Sequence, residues 1–127
     1  MILGEAVYAA IIGNAAAAAL LGTRVFPNRR PQASPFPLAV YSIISDVPYN
    51  SLNGTAQTRL SRARLQIDIY AKTYIEAQQV AQAVDDVVAN LSSPDLSGDR
   101  ETTRDLYDNE AELHRVSTDY IVNWART

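Results

Sequence analysis

The sequence predicts an α+β domain, a mainly antiparallel sheet covered by one long helix, with elements in the order α-β-β-β-α-β-β. Three observations lead there. Residues 61–71 alternate strictly: Ala63, Leu65, Ile67, Ile69 and Ala71 point one way, and Arg62, Arg64, Gln66, Asp68 and Tyr70 the other, as in a strand with one wet face. Residues 74–91 then switch period. Tyr74, Ala77, Val80, Ala81, Val84, Val87, Val88 and Leu91 fall at helical spacing, with Glu76, Gln78, Gln79, Gln82, Asp85, Asp86 and Asn90 on the opposite side. Finally, strand-like runs outnumber helical ones and are joined by turn signals, which favours hairpins over βαβ crossovers. At 127 residues the chain fits one domain, residues 1–127, with room for a real core.

Taken in order, residues 3–13 read as a helix with Leu3, Ala6, Val7, Ala10 and Ile11 in one stripe, stopped at Gly13-Asn14. Residues 15–21 add another turn or two, ended by Gly22; the alanine run has high helix propensity and little bulk. No basic segment precedes this apolar stretch and Gly13-Asn14 interrupts it, so it reads as core rather than as a signal peptide or membrane span. Residues 23–26 are extended. Prolines at 27, 31, 35 and 37 then exclude a helix or central strand and imply a stiff, extended loop. Residues 38–45, LAVYSIIS, are apolar on both faces and read as a central strand. The polar link 46–59 carries Asn53-Gly54, a hairpin signal, so the flanking strands are expected to project as a long arm returning at residue 61. After the helix, strands are expected at 100–107 and 114–124 around a turn at 108–112. Val116, Thr118, Tyr120, Val122 and Trp124 share one face of the last.

Residue chemistry points to no catalytic centre. His114 is the sole histidine, and Ser117 would lie on the opposite face of its strand, without a nucleophile elbow. Asp85 and Asp86 point about 100° apart on a helix and read as a solvated face. Asp105, Asp108, Glu110 and Glu112 cluster at a turn without calcium-loop spacing. No phosphate loop, HExxH or zinc spacing occurs, and there is no cysteine, so no cofactor or metal is expected. Arg59, Arg62 and Arg64 form a basic strip interrupted by Asp68, with Arg29-Arg30 in the proline loop. The strip suits phosphate or, better, acidic side chains of another protein. A net charge of −3 lacks the footprint of a dedicated nucleic-acid binder.

Several segments in sequence resemble one family. They are Leu21-Gly22-Thr23-Arg24-Val25-Phe26; Pro37-Leu38-Ala39-Val40-Tyr41; Arg64 to Ala71 followed by Tyr74-Ile75-Glu76-Ala77; Arg104 to Asp108; and Arg115 to Tyr120. Their order and spacing over most of the chain is similar to the tail completion, or tail terminator, proteins of long-tailed phages. These signatures are structural. They carry over a fold and a role but no active-site residues.

The resemblance implies a structural virion protein and no enzyme. It implies a ring, typically of six subunits, on the head-proximal end of the tail tube, where it stops tube polymerisation and joins the tail to the head connector. The expected partners are further copies of the chain, the tail tube protein and the head completion protein. DNA passes through the lumen without specific binding, and no membrane is involved. The expected place is the tail or neck of the virion, after assembly in host cytoplasm. Under this reading the loops at 27–37 and 46–59 make subunit or partner contacts, through Arg29, Arg30, Tyr49, Asn53 and Arg59. Arg62, Arg64 and Asp68 lie at the subunit interface, the arginines paired with carboxylates of an adjacent protomer. The rival readings are a head-closure or neck adaptor, a small ligand-binding or enzymatic α+β domain with a concave pocket, and a nucleic-acid-binding module.

Overall fold

The computed structural model describes residues 2–48, 60–93 and 96–125. The helices are α1 (Leu3–Ile12), α2 (Ala15–Leu21) and α3 (Tyr74–Val88). The strands are β1 (Val25–Pro27), β2 (Leu38–Pro48), β3 (Leu60–Ala71), β4 (Ser92–Ser93), β5 (Leu96–Asp108) and β6 (Leu113–Ala125). They form one sheet in the order β1-β2-β3-β6-β5-β4. The α+β class holds, and all pairings except one are antiparallel. The exception is β1 with β2, which makes the sheet mixed.

Two expectations need correction. The sheet is not covered by one long helix: α1 and α2 pack beside α3, contributing Leu3, Val7, Ile11, Ala17 and Leu21 to the same core. The element order is therefore α-α-β-β-β-α-β-β-β. The reason is local. Asn14, read as a stop, is also a start: its side chain accepts from the Ala17 amide at 3.0 Å and caps α2, which leaves α1 at 89°. No single helix among the described residues is long and apolar enough to cross a membrane.

The second correction concerns β2, expected as central. It lies one place from the edge, and its two halves differ. Leu38, Ala39 and Val40 are buried, whereas Ile43, Ile44 and Val47 are 38%, 53% and 60% exposed. β1 runs parallel beside Ala39–Tyr41 only. To bring β2 in parallel, residues 28–37 must travel back along the strands. They do so on the side away from the helices, where Arg30 lies over the rings of Phe36 and Tyr70 at 5.7 and 5.3 Å. This buries Leu38 and Val40, which alternate away from the helical layer.

Of the expected β2–β3 arm, the described part is a ladder lying level with β6, and residues 49–59 lie outside the described residues. The ladder continues to Pro48↔Ser61, past a bulge between Ile43 and Ser45. Arg24 ties the turn into β1 to the start of β2. Its Nε donates to the Pro37 carbonyl at 2.8 Å and its NH2 to the Leu20 carbonyl at 3.2 Å. Gly22 before it has a φ of +59°, a conformation that suits glycine.

α3 begins where Thr73 accepts from the Glu76 amide, a cap whose Thr-x-x-Glu spacing was in the sequence. It ends at Val88 rather than at 91, and Tyr74 is exposed rather than on the buried stripe. At the other end Gly98 makes the close approach to β5 possible. A Cβ there would lie 2.5 Å from the Val88 carbonyl oxygen.

Candidate functional site: the bare face and open edges of the sheet

The strand period divides the sheet into two unlike faces. Leu65, Ile67, Ile69, Val116, Tyr120 and Val122 meet the helices and are buried. Tyr120 is a polar anchor deep in that layer. Its hydroxyl donates to Asp85 Oδ1 at 3.0 Å, and Arg100 lies 3.5 Å from the other carboxylate oxygen. Asp85 is thus a partner of the sheet and not, as its neighbour Asp86 suggested, part of a solvated face. Burial, followed by the Asp85 charge and hydrogen bond, raises the Tyr120 hydroxyl well above its ordinary pKa. Tyr41 and Tyr70 are also raised, chiefly by burial.

The opposite face carries cross-strand polar pairs. Arg115 NH2 contacts Asp68 Oδ2 at 3.1 Å, Arg104 contacts Asp119 at 3.3 Å, and Arg64 pairs with Glu101. Gln66 donates to Ser117 at 2.9 Å between them. Arg115 also lies over Tyr70, at 5.7 Å, so that ring is met by Arg115 and Arg30. Asp68 is 8% exposed, and its Oδ1, with Arg115 Nε, has no hydrogen-bond partner among the described residues.

The structure therefore gathers some of the residues singled out in the sequence and separates others. Arg30 and Asp68 join one cluster through Tyr70 and Arg115, with Arg30 pinning the proline loop to the sheet. Arg64 pairs within its own chain. Arg62 is exposed on the same face, opposite Val47 and Asn123, and has no ion pair among the described residues. Arg29 is exposed at the head of the proline loop. Tyr49, Asn53 and Arg59 lie outside the described residues. Arg24, Arg104 and Arg115, which organise the bare face and the β1 corner, were not singled out as site residues. Strict alternation along residues 115–123 was the signal that could have placed Arg115 beside Asp68.

No group of His, Cys, Asp or Glu able to hold a metal occurs among the described residues. His114 packs edge-on against Tyr107 at 4.9 Å and Tyr74 at 6.1 Å, without a nucleophile beside it. An open groove of about 710 Å³ lies where β1 stops. Its walls include Ile2, Gly4, Tyr41, Ile43, Asp46 and Trp124. Its lining is mostly apolar, and there Trp124 Nε1 donates to Asp46 at 3.4 Å. The arrangement is suited to contact with another protein surface.

Comparison with known families agrees with this description. The model of the family "Tail completion protein gp17" matches residues 5–123, nearly the whole chain. The chain belongs to that family, and with it to the structural proteins of phage tails. Its fold is similar to that of a chain from a solved structure titled "Virion of native gene transfer agent (GTA) particle". The TM-score is 0.71 at 20% identity, over 98% of this chain and 95% of that one. Among curated proteins none matches the sequence at a significant level.

Proposed function

We propose that the protein is a tail terminator: copies form a ring, of six by the family resemblance, on the head-proximal end of the tail tube. The ring stops tube growth and presents a surface to the head connector. The family match over residues 5–123 carries this reading. The site supports it, because its features are those of an assembly subunit: a charged bare face and, among the described residues, long stretches of β2 and β5 along which no further strand lies. Arg29 and the residues 49, 53 and 59 of the arm are placed at contacts with the tube or connector. Arg62, and Arg64 by exchange from Glu101, face carboxylates of the adjacent protomer. DNA passes through the lumen unbound, in keeping with a net charge of −3.

Electron microscopy of particles made without this gene tests the proposal. Overlong or ragged tails beside full heads are the expected result. Unattached tails of normal length would make the chain a neck adaptor instead. Normal infectious particles would remove it from tail assembly altogether.

A further inference from the structure

We infer that neighbouring copies join by extending the β-sheet: the uncovered edge of β2 in one copy pairs with the uncovered edge of β5 in the next. This rests on the ring reading above and adds the joint that makes the ring.

The edge strands of this sheet are too short for it. β1 covers β2 only at Ala39–Tyr41, and β4 covers β5 only at Leu96 and Ser97. Among the described residues, no strand lies along Ser42–Pro48 of β2 or Asp99–Asp108 of β5. Long bare edges template pairing with other chains, and proteins that do not use them usually bend, charge or cover them. Here β2 is bent only at the bulge after Ile43 and presents exposed Ile43, Ile44 and Val47 along its open part, while β5 is charged from Asp99 to Asp105 and then presents Leu106 and Tyr107, 43% and 50% exposed. The groove where β1 stops adjoins the β2 edge and offers an apolar recess for side chains of an incoming strand.

The strand directions agree. β2 and β5 are three antiparallel steps apart and run in opposite senses. A copy that continues the sheet by rotation keeps its strand directions, so its β2 meets β5 of the first copy antiparallel, the usual edge pairing. The two edges are different surfaces at opposite ends of one sheet. Their contact is head-to-tail, the type that closes into rings rather than stopping at dimers. The open part of β2 lies level with Asp119–Trp124 of β6, and that of β5 level with Leu113–Ile121. Full pairing thus needs a shift along the strands, which a closed array of tilted strands supplies.

The chain has no cysteine, so disulfide trapping starts from a clean background. Val47→Cys on β2 is combined in one chain with Thr102→Cys, Arg104→Cys or Leu106→Cys. These are successive positions on the bare face of β5, so they scan the register. Each variant is placed in particles assembled with it and oxidised. The expected result is a ladder of multiples of 13.9 kDa for at least one pair, with less than a tenth as much cross-linking for any single-cysteine variant. Rings intact by mass or microscopy with no pair cross-linked would overturn the β2–β5 joint and leave the ring reading standing. Cross-linked dimers from Val47→Cys alone would also overturn it, since the edge would then be pairing with itself. A chain present singly on each particle would overturn both.

Discussion

The two faces of the sheet are built from the same strands, often from adjacent residues, yet they work differently. Leu65, on the helix side of β3, is fully buried in a continuous core; Arg64, one residue earlier, sits in the open beside Glu101. On the covered face, stability comes from removing apolar surface from water and from close packing, so the loss of a few atoms is felt throughout. The bare face gains little from its ion pairs, because water screens them and long side chains must be held in place. Its residues are free to serve contacts that form only on assembly. The Asp68–Arg115–Tyr70 cluster is the exception, where the proline loop has turned part of the bare face into interior.

Substitutions of increasing mildness probe this contrast. Leu65→Ala leaves a void among Ile67, Tyr120 and α3 and is expected to cost about 3 kcal/mol of unfolding free energy, measured by urea denaturation. A loss below about 1 kcal/mol would mean that the covered face collapses around the void and is less tightly packed than described.

Tyr120→Phe removes one hydrogen bond to a charged group and should cost about 1–2 kcal/mol near neutral pH. The pH dependence sharpens the point. In the folded chain Tyr120 keeps its proton well above the ordinary value of 10.0, whereas unfolded tyrosine loses it near there. Its contribution is complete below about pH 10 and falls as pH rises further, because deprotonation then favours the unfolded chain. The parent protein should lose stability above pH 10 more steeply than Tyr120→Phe. Tyr41 and Tyr70 shift the same way in both, so the difference isolates Tyr120. Parallel alkaline profiles would show that water reaches the hydroxyl.

Arg62→Glu with Arg64→Glu has the smallest expected effect on the monomer, below about 1 kcal/mol, since Arg62 is exposed and Arg64 holds only a half-exposed surface ion pair. Ring assembly, followed by mass measurement or microscopy, should nevertheless be lost. A ring that survives the double change would free the bare face of any role in assembly. A monomer unfolded by it would place the arginines among the structural residues.

Alternation and helical period were enough to place β3, α3 and β6, because each buries one face in the common core and the period reports that face directly. They failed where a residue's surroundings come from elsewhere in the chain. Ile43 and Ile44 look like a central strand, yet β1 stops at Pro27 and leaves them at an edge. Tyr74 fits the apolar stripe of α3 by spacing but is exposed at the start of the helix, where its ring meets His114 edge-on. Arg30 reads as a surface charge of a proline loop, and becomes the clasp holding that loop over Tyr70.

By itself, the sequence determined the α+β class, the wet and dry sides of the long strands and, through ordered motifs, the tail completion family. These follow from local periodicity, turn chemistry and spacing, which persist whatever lies nearby. Only the tertiary structure decided which strands form the edges, that α1 and α2 share the core, and that Asp85 serves Tyr120 while Asp68 serves Arg115. Those outcomes depend on which distant segments meet, and sheet order and charge pairing are set by packing across the whole chain rather than by any local stretch.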